Sequence, residues 1–261
     1  VGLADNMFTA ARPEIETFAD RTFKYHVAFD QLRVDESIGA ICVSRPTNPT
    51  GNVLTAAEIG HLHRLARQHQ IPLIIDNAYG LPFPNIIFTE ADLPWSEHTI
   101  LCFSLSKFGL PAVRTGIIIA RPDIAGAIAK MNGIINLALS SFGPALALEM
   151  ISNDKVLELS QKYIRPYYQA KADKALQLLH QELVGVNYYI HKTEGAFFLW
   201  LWFPGLPISC HELYQRLKFP GLEEEWQHVH ECIRVSYAMD DGLVSAGIKI
   251  IVEEVKRAFR S

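Results

Sequence analysis

Lys107 stands in the segment Ser104-Leu105-Ser106-Lys107-Phe108-Gly109-Leu110-Pro111-Ala112-Val113-Arg114-Thr115-Gly116, directly after the apolar run TILCFS. Glycine and proline around it make a tight, shaped loop, in which an amine can act as a Schiff-base nucleophile. Ser104, Ser106 and Arg114 add hydroxyls and a planar guanidinium, groups suited to a phosphate. On composition alone the same loop is equally a patch of surface charge. Arg45-Pro46-Thr47-Asn48-Pro49-Thr50-Gly51 follows the apolar run IGAICVS, and by itself a cluster of Pro, Asn and Gly is a turn. Asp76-Asn77-Ala78-Tyr79 closes the run PLIID. A carboxylate ending an apolar strand calls for a partner, because burying an unpaired charge is costly; a helix N-cap is its plainer use.

Taken together, these segments hold complementary chemistry. Asn48 and Tyr79 offer partners for a phenolic oxygen, Asp76 a partner for a pyridinium nitrogen, Lys107 an amine for an aldehyde, and Arg114 an anchor for a phosphate. Pyridoxal 5'-phosphate needs that combination of groups.

The elements expected to position them alternate between short apolar runs and helical patterns. Residues 38–44, 72–76, 99–104 and 116–120 read as buried strands. Thr55-Ala56-Ala57-Glu58 is a capping box opening an amphipathic helix to about Gln70. Continuous apolar strands bounded by turn signals imply an α/β fold with a mostly parallel sheet covered on both faces. The chemistry-bearing segments then fall at the C-terminal strand ends, where such sheets bind ligands. Helices are expected from near Asp123 and after Pro144. Residues 154–183 carry a long helical pattern interrupted only by Pro166. Strands at 186–191, 196–203 and 232–237 follow, with helices near 211–218 and 241–259, so a smaller α+β unit is expected. The division predicted is 1–153 for a large domain and 154–261 for the connecting helix and small domain. The stripe Phe197-Phe198-Leu199-Trp200-Leu201-Trp202 reads as a core strand with Glu194-Gly195 as its entry turn.

Composition narrows the classes. With 261 residues, a net charge of -4 and scattered Lys and Arg, the chain lacks the basic footprint of a nucleic-acid binder. No apolar run approaches the ~18 residues of a membrane span. Cys42, Cys102, Cys210 and Cys232 form no C-x-x-C pair and suit a reducing cytoplasm. His61, His63 and His69, and the run His228-Val229-His230-Glu231-Cys232, lack the spacing of a tetrahedral set, so no metal is expected. Phe-Pro-Gly-Leu occurs at 203–206 and 219–222 without further similarity, which argues against a repeat.

The order N-P-T-G, D-x-x-Y, S-x-S-K and a short loop to R-x-G resembles the signature of the fold type I, class I/II, PLP-dependent aminotransferases, over essentially the whole chain. SRPTNPTG, IDNAYGLPFP, SLSKFGLP, MNGIINLA, EGAFFLWLWF and IRVSYA look like the branch moving amino groups between valine or alanine and pyruvate. The resemblance implies that Lys107 holds the cofactor and moves the catalytic proton, while Asp76 pairs with the ring nitrogen. It also implies that Asn48 and Tyr79 bind the phenolic oxygen, and that Ser104, Arg114 and Ser106 hold the phosphate. Arg234 would bind the substrate α-carboxylate. A cytoplasmic homodimer of a longer protein is implied as well. The chain is expected to be N-terminally truncated, and to lack residues between Lys218 and Phe219 that relatives use for a strand and loop. Two alternatives on the same fold are a PLP β-lyase or decarboxylase and the effector-binding domain of a transcription regulator.

Overall fold

The computed structural model describes residues 8–137, 140–216 and 231–260. The expected start at Val1, the Lys218–Phe219 junction, and His228 and His230 lie outside them. Along the chain come β1 (Glu14–Thr17), β2 (Thr22–His26), β3 (Ile41–Ser44), α1 (Ala56–Gln68), β4 (Leu73–Asp76) and β5 (Thr99–Ser104). A 3-10 turn (Pro111–Val113), β6 (Gly116–Ile119), α2 (Pro122–Asn136), α3 (Phe142–Ser152) and α4 (Lys155–Leu159) come next. A π-helical turn (Ser160–Ile164) leads into α5 (Arg165–Glu182), then β7 (Tyr189–His191), β8 (Phe198–Trp202), α6 (Cys210–Arg216), β9 (Cys232–Ser236) and α7 (Asp241–Ala258).

The first sheet runs β3-β4-β5-β6, with β3, β4 and β5 parallel. β6 returns antiparallel to β5, because the Lys107 loop reverses the chain without a crossover helix. Ile41, Leu73, Ile75, Leu101 and Phe103 pack on Ile59, Leu62 and Ala66 of α1, with Ala147 and Val156 from α3 and α4. The capping box forms in full: Glu58 N donates to Thr55 Oγ1 and Thr55 N to Glu58 Oε2. The expected cover on both faces is met on one. Cys42 on the opposite face is exposed, and Ile118 of β6 is 45% exposed.

The second sheet runs β1-β2-β7-β8-β9, and only β2 and β7 are parallel. The hairpin of β1 and β2 joins this sheet through β7. Its turn is set by Asp20 Oδ1, which accepts from Thr22 N and Thr22 Oγ1 while Arg21 adopts φ +62. The core against this sheet comes from Ala172, Ala175 and Leu179 of α5 and Ile248, Val252 and Val255 of α7. Pro166 does not break the long helix. It lies in the first turn of α5, directly after the π turn, where a proline is tolerated. Lys171 ties α5 to the start of α7 through Met239 O and Asp241 Oδ1.

His191, at the end of β7, is 1% exposed and stacks on Tyr25. Burial holds its imidazole down at about 4, helped by Lys24, His26 and Lys192 and opposed by the hydrogen bond to Lys192 O. The folded chain therefore refuses a proton that the unfolded chain accepts below about pH 6.5. Its contribution is complete above that pH and lost as pH falls towards 4, by about 3 kcal/mol at most. Urea unfolding at pH 7 and pH 4.5 should show this loss in the wild type and a smaller loss in His191→Gln.

Candidate active site

The loops that leave β3, β4 and β5 gather at one end of the first sheet, and the second sheet closes over them. Backbone bonds continue the strand pattern into the loops: Arg45 N donates to Asp76 O at 2.9 Å and Asn77 N to Cys102 O at 2.8 Å. Gly51 (φ +74) lets the first loop turn against the second sheet; a Cβ there would lie 2.8 Å from Gly195 O. Gly80 is pressed as closely on Arg45, whose O would stand 2.5 Å from an added Cβ. Arg45 itself is 2% exposed and anchors its loop through Nε to Leu54 O and Nη1 to Asp92 O.

Asn48 and Arg234 meet across the two sheets, Arg234 Nη1 donating to Asn48 Oδ1 at 2.7 Å. Arg234 projects from β9, and its guanidinium carbon lies 5.2 Å from the Phe198 ring centre. Lys107 Nζ lies 5.4 Å from the centre of the Tyr79 ring and 5.5 Å from that of Phe197. Tyr79 is 8% exposed and meets Phe197 edge to face at 5.1 Å. Burial pushes its phenol above the ordinary value, Arg234 opposes this and Asp76 adds to it, so both charges act on the phenol. Asp76, at the last position of β4, is exposed, and its Oδ1 accepts from Ala78 N at 2.9 Å.

Asn48, Asp76, Tyr79, Lys107 and Arg234 are linked in pairs: Arg234 donates to Asn48, Lys107 stands over the Tyr79 ring, and Arg234 and Asp76 both act on the Tyr79 phenol. The expected phosphate-binding residues lie on the loop that carries Lys107. Ser104 Oγ accepts from Ser106 N at 3.2 Å. Arg114 is exposed in a left-handed conformation (φ +47), with Nη1 3.4 Å from Pro111 O. Among the described residues no hydrogen bond joins Ser104, Ser106 or Arg114 to the Asn48–Arg234 pair.

Phe197 is the site residue that sequence reasoning missed, having assigned its run to the core. It walls Lys107 while Phe198, next to it, is buried against Tyr79. The backbone there is fixed by three hydrogen bonds to two residues: Ala196 N donates to Ile86 O, Tyr237 N to Phe197 O, and Tyr237 Oη to Ala196 O. Ala196 has φ +64, a conformation that costs a non-glycine residue about 1–2 kcal/mol and marks strain beside a site. The signal available was Gly195-Ala196, two small residues just before a large aromatic pair.

The helical histidines serve packing: His61 stacks on Phe29 and His63 Nε2 lies 3.2 Å from Thr99 Oγ1. Among the described residues no cluster is placed to hold a metal ion, and no helix is long and apolar enough to cross a membrane.

Strands ending in these three loops, with an arginine brought over from a second sheet, define a class. Residues 5–251 match the family model for aminotransferase class I and II, and the chain belongs to that family, with its fold type I architecture. Among its relatives, valine–pyruvate aminotransferase of Escherichia coli is 49% identical over 270 residues, covering 99% of this chain and 65% of that protein. The chain therefore spans just under two thirds of that relative's length. The crystal structure of valine–pyruvate aminotransferase from Salmonella typhimurium LT2 superposes with a TM-score of 0.91 at 50% identity, covering 99% of this chain and 70% of that one. A putative amino-acid aminotransferase from Psychrobacter arcticum 273-4 gives 0.88 at 48% identity, covering 95% and 62%.

The glycine contact that joins the loops is open to direct measurement. An added Cβ at Gly195 would lie 2.5 Å from Pro46 Cγ and 2.7 Å from Ile86 O, leaving no room for it. Gly195→Ala is expected to cost about 1–3 kcal/mol in denaturant unfolding, as overpacking does.

Proposed function

We propose that the protein containing this chain is a PLP-dependent aminotransferase moving an amino group between a small aliphatic L-amino acid, valine or alanine, and a 2-oxo acid, pyruvate. The observation that carries this reading is the convergence of Lys107, Tyr79, Asn48 and Arg234 at the strand ends, beside Asp76. The identity to valine–pyruvate aminotransferase supports the choice of substrates.

The residues present fit pyridoxal 5'-phosphate by the chemistry of their donors. When bound, that cofactor supplies an electron sink for the charge that develops at the substrate's α-carbon. Asp76 would hold a proton at the ring nitrogen. The exposure of its carboxylate at the end of β4 supports that role. Asn48 and Tyr79 would bind the phenolic oxygen. Ser104, Ser106 and Arg114 would hold the phosphate, with Arg114 the ionic member. Lys107 Nζ would hold the cofactor's aldehyde carbon and, as a free amine, would take and return the proton of the substrate's α-carbon. Arg234 would grip the substrate carboxylate through its planar fork, with Asn48 holding one nitrogen of that fork in place. Phe197 would exclude water from the side of Lys107 it faces.

Lys107→Ala in the full-length protein should abolish the visible absorbance of the bound cofactor and all turnover. Survival of that band would sink the assignment. Incubation with valine and pyruvate should yield alanine and the matching oxo acid, which neither a β-lyase nor a decarboxylase produces.

A homodimer in the cytoplasm completes the proposal. The four cysteines, free and unpaired with one another, support a reducing compartment. Association is supported by α2 and α3, where Ile134 is 82%, Ile135 78% and Phe142 67% exposed, an apolar face a lone subunit would hold in water. Sedimentation should find a dimer, and Ile135→Glu should shift it towards monomer.

A further inference from the structure

Behind the site, a lysine ammonium is buried where the two sheets meet. Lys24 of β2 is 5% exposed, and its Nζ donates to Glu194 Oε2 at 2.5 Å, Val53 O at 2.9 Å and Asn52 Oδ1 at 3.3 Å. Glu194 Oε2 also accepts from Val53 N at 3.0 Å. His191 Nε2 lies 3.1 Å from the same Asn52 oxygen. Lys24 and His191 belong to the second sheet, Glu194 to the loop after β7, and Asn52 and Val53 to the loop that leaves β3.

A buried ion pair seldom stabilises a fold more than well-packed apolar side chains of the same volume, because desolvation offsets the attraction. What such a pair can supply is a fixed geometry, and this one lies between the two loops that form the site. Glu194 precedes Phe197 in one loop, and Val53 follows Asn48 in the other. Between them Gly51 faces Gly195 O so closely that an added Cβ would lie 2.8 Å from it, and Gly195 is packed as closely on Pro46 and Ile86 O. Displacing Glu194 relative to Val53 therefore moves the Phe197 wall and the Asn48–Arg234 contact relative to one another.

We propose that Lys24, acting through Glu194 and Val53, is a positioning residue of the active site: it sets the separation between the Asn48–Arg234 pair and the aromatic wall beside Lys107. The inference rests on the aminotransferase reading above. Lys24 has no contact with the residues assigned to cofactor or substrate; its effect passes through the two loops.

The test uses the full-length protein with its cofactor. Lys24→Met with Glu194→Gln removes both charges at nearly constant volume. The double variant should raise the KM for the amino acid about tenfold while kcat falls less, since the loss is in the geometry of carboxylate capture. It should also shift the pH midpoint of the cofactor's visible band, because Asn48 and Tyr79 would no longer meet the phenolic oxygen as before. Lys24→Arg keeps the charge but is longer and planar, and should move both readouts in the same direction by less. It decides the matter if the double variant does not fold. In melts of the cofactor-free protein, Lys24→Met alone should be less stable than the double variant, because it leaves the Glu194 carboxylate without its cation. Wild-type KM and midpoint in the folded variants would overturn the proposal and leave the pair a packing feature. Absence of the band from the wild-type protein would overturn the cofactor reading itself, and this inference with it.

Discussion

Backbone touches backbone where the two sheets join, and that contact decides where every site residue can be. Gly51 and Gly195 are close enough that a methyl group on either would strike its neighbours. Glycine is used there for the absence of a side chain rather than for flexibility. With the loops pressed together, Asn48 from one sheet reaches Arg234 from the other, and Phe197 reaches Lys107. About 1 Å added between the loops would carry the Asn48–Arg234 contact, now 2.7 Å, beyond hydrogen-bond range.

Charge is handled according to depth. Asp76, Asn48 and Arg234 stay exposed at the strand ends, where ionised or polar groups keep their hydration. Arg45 and Lys24 are buried against acceptors: two backbone carbonyls and the Asp92 carboxylate for Arg45, a carboxylate, a carbonyl and an amide for Lys24. Burying those cations unpaired would cost several kcal/mol each, so their partners are as constrained as they are. The rigid part of the site is thus the layer behind it, and the reactive groups are mounted on that layer.

Much of the site was legible in the sequence because its signals are local. An apolar run ending in Asp76, a glycine–proline loop carrying Lys107 and the turn holding Asn48 each state their place within about ten residues, and the capping box at Thr55 and Glu58 formed as written. What was not legible depends on partners distant in sequence. The hairpin 14–26 alternates Phe23 and Tyr25 with polar residues, yet nothing in it says that its partner is β7, over 160 residues on. Phe197 and Phe198 both read as core, since two adjacent aromatics on a strand point to opposite faces and only the fold shows which face carries the site. Glu194 signalled only an entry turn and Lys24 nothing, for a lysine in a short strand is ordinarily a solvated one.

Arg234 and Asn48 illustrate why the two sheets must act as one unit. The guanidinium has five N–H donors and Asn48 takes one of them, so the fork remains free to bind an anion while being held at a fixed angle. The Phe198 ring beneath the guanidinium carbon adds a second restraint without using a donor. An anion captured there is placed relative to the first sheet, where Lys107 and Asp76 stand, although the arginine that binds it belongs to the second. The join at Gly51 and Gly195 therefore converts a binding contact on one sheet into a position on the other.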